Sequence, residues 1–262
     1  MKNKNEIIIQ QKSFIDEMKK EACKLVDSID KSELETILLS GSVSRGDFFP
    51  RKNENGGYVG HIDLIVMKKH GSTITAEALF GPDQDPPVPY HCIKVENTWF
   101  AILFTDFIDG ETFKTFDEAR KFSILESQIL YDPNKKYENE LPKINEIKKQ
   151  ECKTELQNKT GYINYLISDY KTDRWQRRQA YLQLHENLNT AIRMGVYCLY
   201  YKNNSYAPAE DRPLYYSLTL NELPDNYSDV IIELKNQTTD SEEDYLRREK
   251  LFRNTILQFI SN

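Results

Sequence analysis

The sequence predicts an α+β fold, in which a domain of short strands and helices is followed by an all-helical domain. Three observations carry this. An amphipathic stretch opens the chain, short apolar runs separated by turn residues fill roughly residues 35–132, and from about residue 140 the apolar spacing is helical throughout. The change of period puts a boundary between residues 135 and 150, giving domains 1–140 and 141–262.

Residues 6–28 predict a helix, with Ile7, Phe14, Ile15, Met18, Ala22 and Leu25 at helical spacing. Glu35 to Ser40 reads as a buried strand ending at Gly41, and Ser42 to Phe49 as a short helix. Arg51 to Gly60 (RKNENGGYVG) is a polar loop, and His61 to Met67 (HIDLIVM) is a second strand. A short helix and the Pro-rich loop GPDQDPPVPY fill residues 70–90. Cys92–Glu96 and Trp99–Phe107 form a hairpin through a tight Asn97-Thr98 turn. Residues 116–129 are helical, and Ile129 to Asp132 is a strand stopped by Pro133. Long helices are expected over 140–171 and 173–201, the second with Tyr181, Leu184, Leu188, Ala191, Ile192 and Val196 on one face. A loop over 203–214 and short helices near 215–221, 226–236 and 241–260 complete the chain.

Of the 262 residues, 39% are apolar and 29% charged, a composition that excludes a disordered chain. No apolar run reaches the ~20 residues that span a bilayer. Ile7-Ile8-Ile9 is too short for a signal-peptide core, so no membrane partner and a cytoplasmic location are expected. Cys23, Cys92, Cys152 and Cys198 include no CxxC pair, which predicts reduced thiols and neither a zinc site nor a disulfide framework. The net charge of −6 argues against nucleic-acid binding. It suits a cationic small partner and equally suits simple solubility.

The chemistry-bearing stretch runs from Leu38 through Gly41-Ser42-Val43-Ser44-Arg45-Gly46 to His61-Ile62-Asp63. Gly41 lets a ligand approach the backbone. Amides at a helix start and the Ser42 hydroxyl suit phosphate oxygens, and Arg45 adds charge. Gly41, Ser42, Ser44 and Arg45 are therefore the candidate phosphate-binding set. On the following strand His61, Asp63 and Ile65 share one face, while Ile62, Leu64 and Val66 share the buried one. A carboxylate inside so apolar a run needs a reason, which a metal ion beside bound phosphate supplies.

This pattern resembles the nucleotidyltransferase superfamily, whose signature is an apolar strand, Gly-Ser, and a strand with two acidic residues one apart. Taken with Phe122–Leu125, Ile129–Asp132 and the helical second half, the chain is similar to kanamycin-type and other small-molecule nucleotidyltransferases. The resemblance implies a mixed sheet with helices, then a helical bundle. It implies a nucleoside triphosphate as substrate and Mg²⁺ or Mn²⁺ as cofactor. A nucleoside monophosphate would pass to a small-molecule acceptor hydroxyl in the cleft between the domains, and related folds sometimes build the site across a homodimer. Asp63 matches the second acidic position. His61 stands where the first is usual, and the third aligns with Ala101. Ser42 to Asp63 is also longer than in the family, by the RKNENGG loop. His61 can ligate a metal, where imidazole suits Zn²⁺ or Mn²⁺ better than Mg²⁺. It can also act as a base, or simply be a hydrogen-bonded strand residue. These departures keep two other readings open: a catalytically degenerate nucleotide-binding or regulatory protein, and a minimal nucleotidyltransferase of the toxin–antitoxin kind acting on protein or RNA.

Ser168-Asp169-Tyr170-Lys171-Thr172-Asp173 resembles the region where kanamycin-type enzymes place the base that activates the acceptor, which implies Asp169 or Asp173 in that role. The alternative is an exposed carboxylate paired at i+4. Arg178 and His185 resemble the Arg-His pair of HEPN ribonucleases if they share one helix face. Glu96 and Asp106 bracket the hairpin and, with Asp109 and Glu111, are acids that could compensate for the missing ones, while Asp106, Asp109 and Glu111 otherwise read as loop or solvent residues. Trp175 and Tyr162, Tyr165, Tyr170, Tyr181, Tyr197, Tyr200 and Tyr201 suit either a ring-binding wall or core packing.

Overall fold

The strand expected over residues 35–40 forms as β1 (Leu34–Ser40) and is buried along its whole length. In the computed structural model, residues 4–52, 54, 57–85, 90–209 and 211–262 are described. Asn53, Asn55 and Gly56 of the polar loop, and Pro86 to Pro89 of the Pro-rich loop, lie outside them. The chain is α+β and divides into two compact units, Met1–Ile147 and Lys148–Asn262.

In the first unit, helix α1 (Lys4–Ser28) leads into β1, the short helix α2 (Gly41–Arg45), a two-residue ladder of β2 (Arg51–Lys52) with β3 (Tyr58–Val59), and β4 (Ile62–Lys68). Next come α3 (Ala76–Phe80), the hairpin β5 (His91–Val95) and β6 (Thr98–Asp106), helices α4 (Gly110–Lys114) and α5 (Glu118–Leu125), and β7 (Gln128–Tyr131). The five-stranded sheet has the order β5-β6-β4-β1-β7 and is mixed, since β4 and β6 run parallel and the other neighbours antiparallel.

The two faces of the sheet follow from the pleat. Ile37, Leu39, Ile62, Leu64, Val66, Phe100 and Ile102 pack beneath Ile15, Met18, Ala22 and Leu25 of α1 in one apolar cluster. Each of the larger of these side chains, Ala22 excepted, contributes about 1.5–3 kcal/mol on burial. The opposite face is also covered over most of its length, with Leu38, Ile65 and Met67 buried. Ile65 is therefore a core residue, and β4 is apolar because both faces need it. On that second face, register partners form the row Ser40–Asp63–Ala101–Cys92 across four strands.

The hairpin turn falls at Glu96-Asn97 rather than Asn97-Thr98, with Glu96 at φ 53°. It pairs Val95 with Thr98 and Cys92 with Ala101.

α6 (Lys136–Leu166) begins in the first unit and ends in the second, where α7 (Asp169–Gln176), α8 (Tyr181–Lys202), α9 (Pro213–Ser217), α10 (Tyr227–Lys235) and α11 (Glu242–Phe252) follow. A π-helical turn (Arg253–Leu257) and α12 (Gln258–Ser261) end the chain. The helix expected over 173–201 is two helices, because the chain turns at 177–180 with Gln179 at φ 51°. Pro213 opens α9, at the first helical position where its missing N–H costs nothing. Leu184, Leu188, Ala191, Ile192 and Val196 of α8 are buried with Leu234, Phe252 and Ile256. Gly195 allows a close crossing, since a Cβ there would stand 2.8 Å from Phe252 and 3.0 Å from Ile256. Among the described residues no helix is long and apolar enough to cross a membrane.

Candidate functional site

β1 delivers Gly41 directly beside Asp63, its neighbour in the row next to Ser40. Gly41 takes φ 67°, and a Cβ on it would lie 1.9 Å from Asp63 Oδ2 and 2.7 Å from its Cγ. Only glycine meets both demands, a left-handed backbone and contact with a carboxylate. The main chain thus turns from strand to α2 against the one acidic side chain of β4.

The four residues of the phosphate-binding set are placed differently. Gly41 and Ser42 are half-buried, and the Ser42 carbonyl accepts the Asp47 amide at 3.0 Å. Ser44 is buried, and its hydroxyl donates to the Glu126 carbonyl at 2.7 Å. Arg45 turns its side chain inward, 3% exposed, to a buried partner Asp47 at 3.6 Å, with its guanidinium over the Phe122 ring. Ser44 and Arg45 therefore hold α2 onto the unit, while Gly41 borders the Asp63 carboxylate.

His61 immediately precedes β4 and is half-buried, with its ring edge-on to Trp99 at 5.9 Å between centroids. Ala101, the position aligned with a third carboxylate, is the direct cross-strand partner of Asp63. It places a methyl group there. Of the nearby acids, Asp106 is exposed with Lys68 at 3.4 Å, Asp109 caps α4 through the Thr112 amide, and Glu111 pairs with Lys114.

Next along the row is Cys92, which composition alone did not connect with anything. Its thiol lies in a group with His61 and Asp85, each presenting one ligand atom, all within 4.8 Å of one another. Cys92, distant in sequence from other ligand-type residues of the fold such as His61, is thus not isolated from them in space. All four are free thiols. Burial pushes the Cys92 thiol pKa up, and the negative charges of Asp83, Asp85 and Asp63 push it further in the same direction. Asp85 is brought there by a loop strapped to the outer side of β5. Asp83 Oδ1 accepts the amides of Asp85 and Cys92, both at 3.1 Å. The Gln84 amide donates to the Cys92 carbonyl at 2.8 Å, and Gln84 Oε1 accepts the Lys94 amide at 3.1 Å. His91 Nε2 contacts the Gly81 carbonyl at 2.9 Å.

In the second unit, Asp169 is exposed on the first turn of α7, where a negative charge suits the helix dipole. Asp173 pairs with Arg177 at 2.8 Å, the i+4 arrangement. Arg178 lies on the turn between α7 and α8, so Arg178 and His185 do not share a helix face. His185 is 1% exposed, and both ring nitrogens are engaged, Nδ1 by Arg248 and Nε2 by the Ser241 carbonyl, each at 3.0 Å. Arginine only donates and a carbonyl only accepts, so Nδ1 is an acceptor and Nε2 carries the proton. This is a structural histidine. The aromatic residues divide: Tyr200 and Tyr201 are core, while Tyr162, Tyr165 and Tyr170 are exposed.

No family model matches the chain, and no curated protein matches its sequence.

Proposed function

We propose that the chain is a nucleotidyltransferase-like protein that binds a nucleoside triphosphate with its phosphates at Gly41-Ser42 and a divalent cation, Mg²⁺ or Mn²⁺, at Asp63. The observation that carries the reading is the Asp63 carboxylate seated against the strand-to-helix turn at Gly41. That juxtaposition lets one carboxylate and the main chain of a phosphate-binding turn address the same ligand. The donor set suits such an ion, because Mg²⁺ is commonly held by one or two carboxylates together with substrate phosphates and waters. The cation would neutralise phosphate charge and lower the pKa of an acceptor hydroxyl. Asp63 binds and orients, Gly41 keeps the approach open, and Ser42 offers its hydroxyl to a phosphate oxygen. Asp169 is proposed as the base toward a small-molecule acceptor.

Calorimetric titration of the full chain with ATP, GTP and CTP, each with and without Mg²⁺ or Mn²⁺, tests the binding. Metal-dependent binding that is lost in Asp63→Ala is expected. Absence of binding to every nucleotide refutes the proposal. Pyrophosphate release with an acceptor panel then tests transfer, and Asp169→Asn tests the base. One observation favours a second reading, a nucleotide-binding regulator without transfer: Ala101 stands opposite Asp63 where a further acid would complete a two-carboxylate set. Binding without pyrophosphate release selects it.

A further inference from the structure

We propose that His61, Asp85 and Cys92 form a site for one Zn²⁺ ion, separate in composition from the Asp63 carboxylate. The three side chains come from three places: the residue before β4, the loop along the sheet edge, and β5. An imidazole, a carboxylate and a thiolate are the three ligand types Zn²⁺ takes, and they are poorly matched to Mg²⁺, which demands oxygen. Ligands bound at about 2.0–2.3 Å in a tetrahedron stand roughly 3.4–3.8 Å apart. The present atoms lie within 4.8 Å of one another, so closing on an ion takes about an ångström of movement. Asp85 is exposed and supplies that movement, whereas Cys92 is fixed in the sheet.

The surroundings support the assignment independently. The loop carrying Asp85 is strapped to β5 by the bonds of Asp83 and Gln84, which hold Asp85 beside Cys92. Binding transfers the thiol proton to solvent and leaves thiolate on the metal. Three protein ligands leave a fourth position for water or a ligand oxygen. The proposal does not depend on nucleotide binding.

The test uses the full chain with Cys23→Ser, which removes the exposed thiol, stripped with a chelator and kept free of nucleotide. Zn²⁺ is titrated by calorimetry and Co²⁺ by absorption. One equivalent should bind, with a thiolate-to-cobalt charge-transfer band that disappears in Cys92→Ser. His61→Ala and Asp85→Asn should each weaken binding about tenfold or more. Asp85→Asn changes an exposed loop residue, so it separates ligand loss from misfolding, and circular dichroism checks every variant. Asp63→Ala should still bind one equivalent of metal and keep the thiolate-to-cobalt band, because Asp63 is not one of the three ligands, which separates this site from the nucleotide reading. No stoichiometric binding, a cobalt band that survives Cys92→Ser, or unaltered affinity in both His61→Ala and Asp85→Asn overturns the proposal.

Discussion

Replacing Gly41 with alanine tests the contact on which the site is built. The backbone there has φ 67°, and placing an L-residue in that region costs roughly 1–2 kcal/mol. The new methyl also collides with Asp63, 1.9 Å from Oδ2, and forcing such a group into a packed position costs about 1–3 kcal/mol. Together Gly41→Ala should destabilise the first unit by about 2–5 kcal/mol. The two contributions separate in a double-mutant cycle. With Asp63→Ala the carboxylate is gone and only its Cβ, at 3.0 Å, remains near the methyl, so the same change should cost only about 1–2 kcal/mol. The chain has two tryptophans, Trp99 in the first unit and Trp175 in the second. In a Trp175→Phe background, urea unfolding followed by fluorescence therefore reports on Trp99 and its unit. A coupling of about 1–3 kcal/mol is expected. Equal losses in both backgrounds would falsify the claim that the Asp63 carboxylate rests on Gly41.

Two further predictions concern stability and pH. Arg248 is 1% exposed and donates to the Leu234 carbonyl, Asn189 and His185 Nδ1, so Arg248→Ala strands several buried acceptors. At about 1–3 kcal/mol for each unpaired group, the second unit should lose roughly 3–5 kcal/mol, and Arg248→Lys should not restore it because an ammonium cannot span the same fork. Urea unfolding with Trp99→Phe measures this through Trp175, and a loss below about 1 kcal/mol contradicts the network. Asp83 has its carboxyl pKa held below the ordinary 3.8, first by the Asp85 amide, with desolvation opposing it and the Cys92 amide adding to the lowering. A depressed folded pKa means that the strap is fully formed above the unfolded value and is lost as pH falls through the folded one. An NMR titration should therefore place the Asp83 midpoint below 3.8, with the Cys92 amide shift following it, and a midpoint at or above that value rejects the strap.

The parts of the fold that the sequence revealed are those governed by local signals. β1 and β4 are legible as strands because each is a short apolar run bounded by turn residues, though burial of the second face of β4 at Ile65 was not evident, and the Gly41-Ser42 turn is legible because glycine marks the end of the run. The break between α7 and α8 was hidden, since Gln179 adopts a positive φ with no Gly or Pro to announce it. The metal-ligating group was hidden for a sharper reason. A turn at Asn97-Thr98 pairs Cys92 with Leu103, whereas the actual turn at Glu96-Asn97 pairs it with Ala101 and so sets it in the row of Asp63. A two-residue shift in a partner decides which side chains meet, and hairpin register depends on one turn residue. Asp85 is harder still to place, because loop residues carry no period. The contact between Gly41 and Asp63 needed only the order strand, turn, strand.

A strand at the rim of a sheet is a template on which another chain can lay its own. β5 occupies such a rim, with β6 as its only strand neighbour among the described residues. Yet the outward amides of Cys92 and Lys94 and the Cys92 carbonyl already have partners in Asp83 and Gln84. The segment that sets Asp85 beside Cys92 thus also occupies the bonds through which two copies of the protein could zip together. Loosening it by acid or by substitution of Asp83 exposes a sticky margin, so loss of the strap should appear as self-association of the native protein before any unfolding of its core.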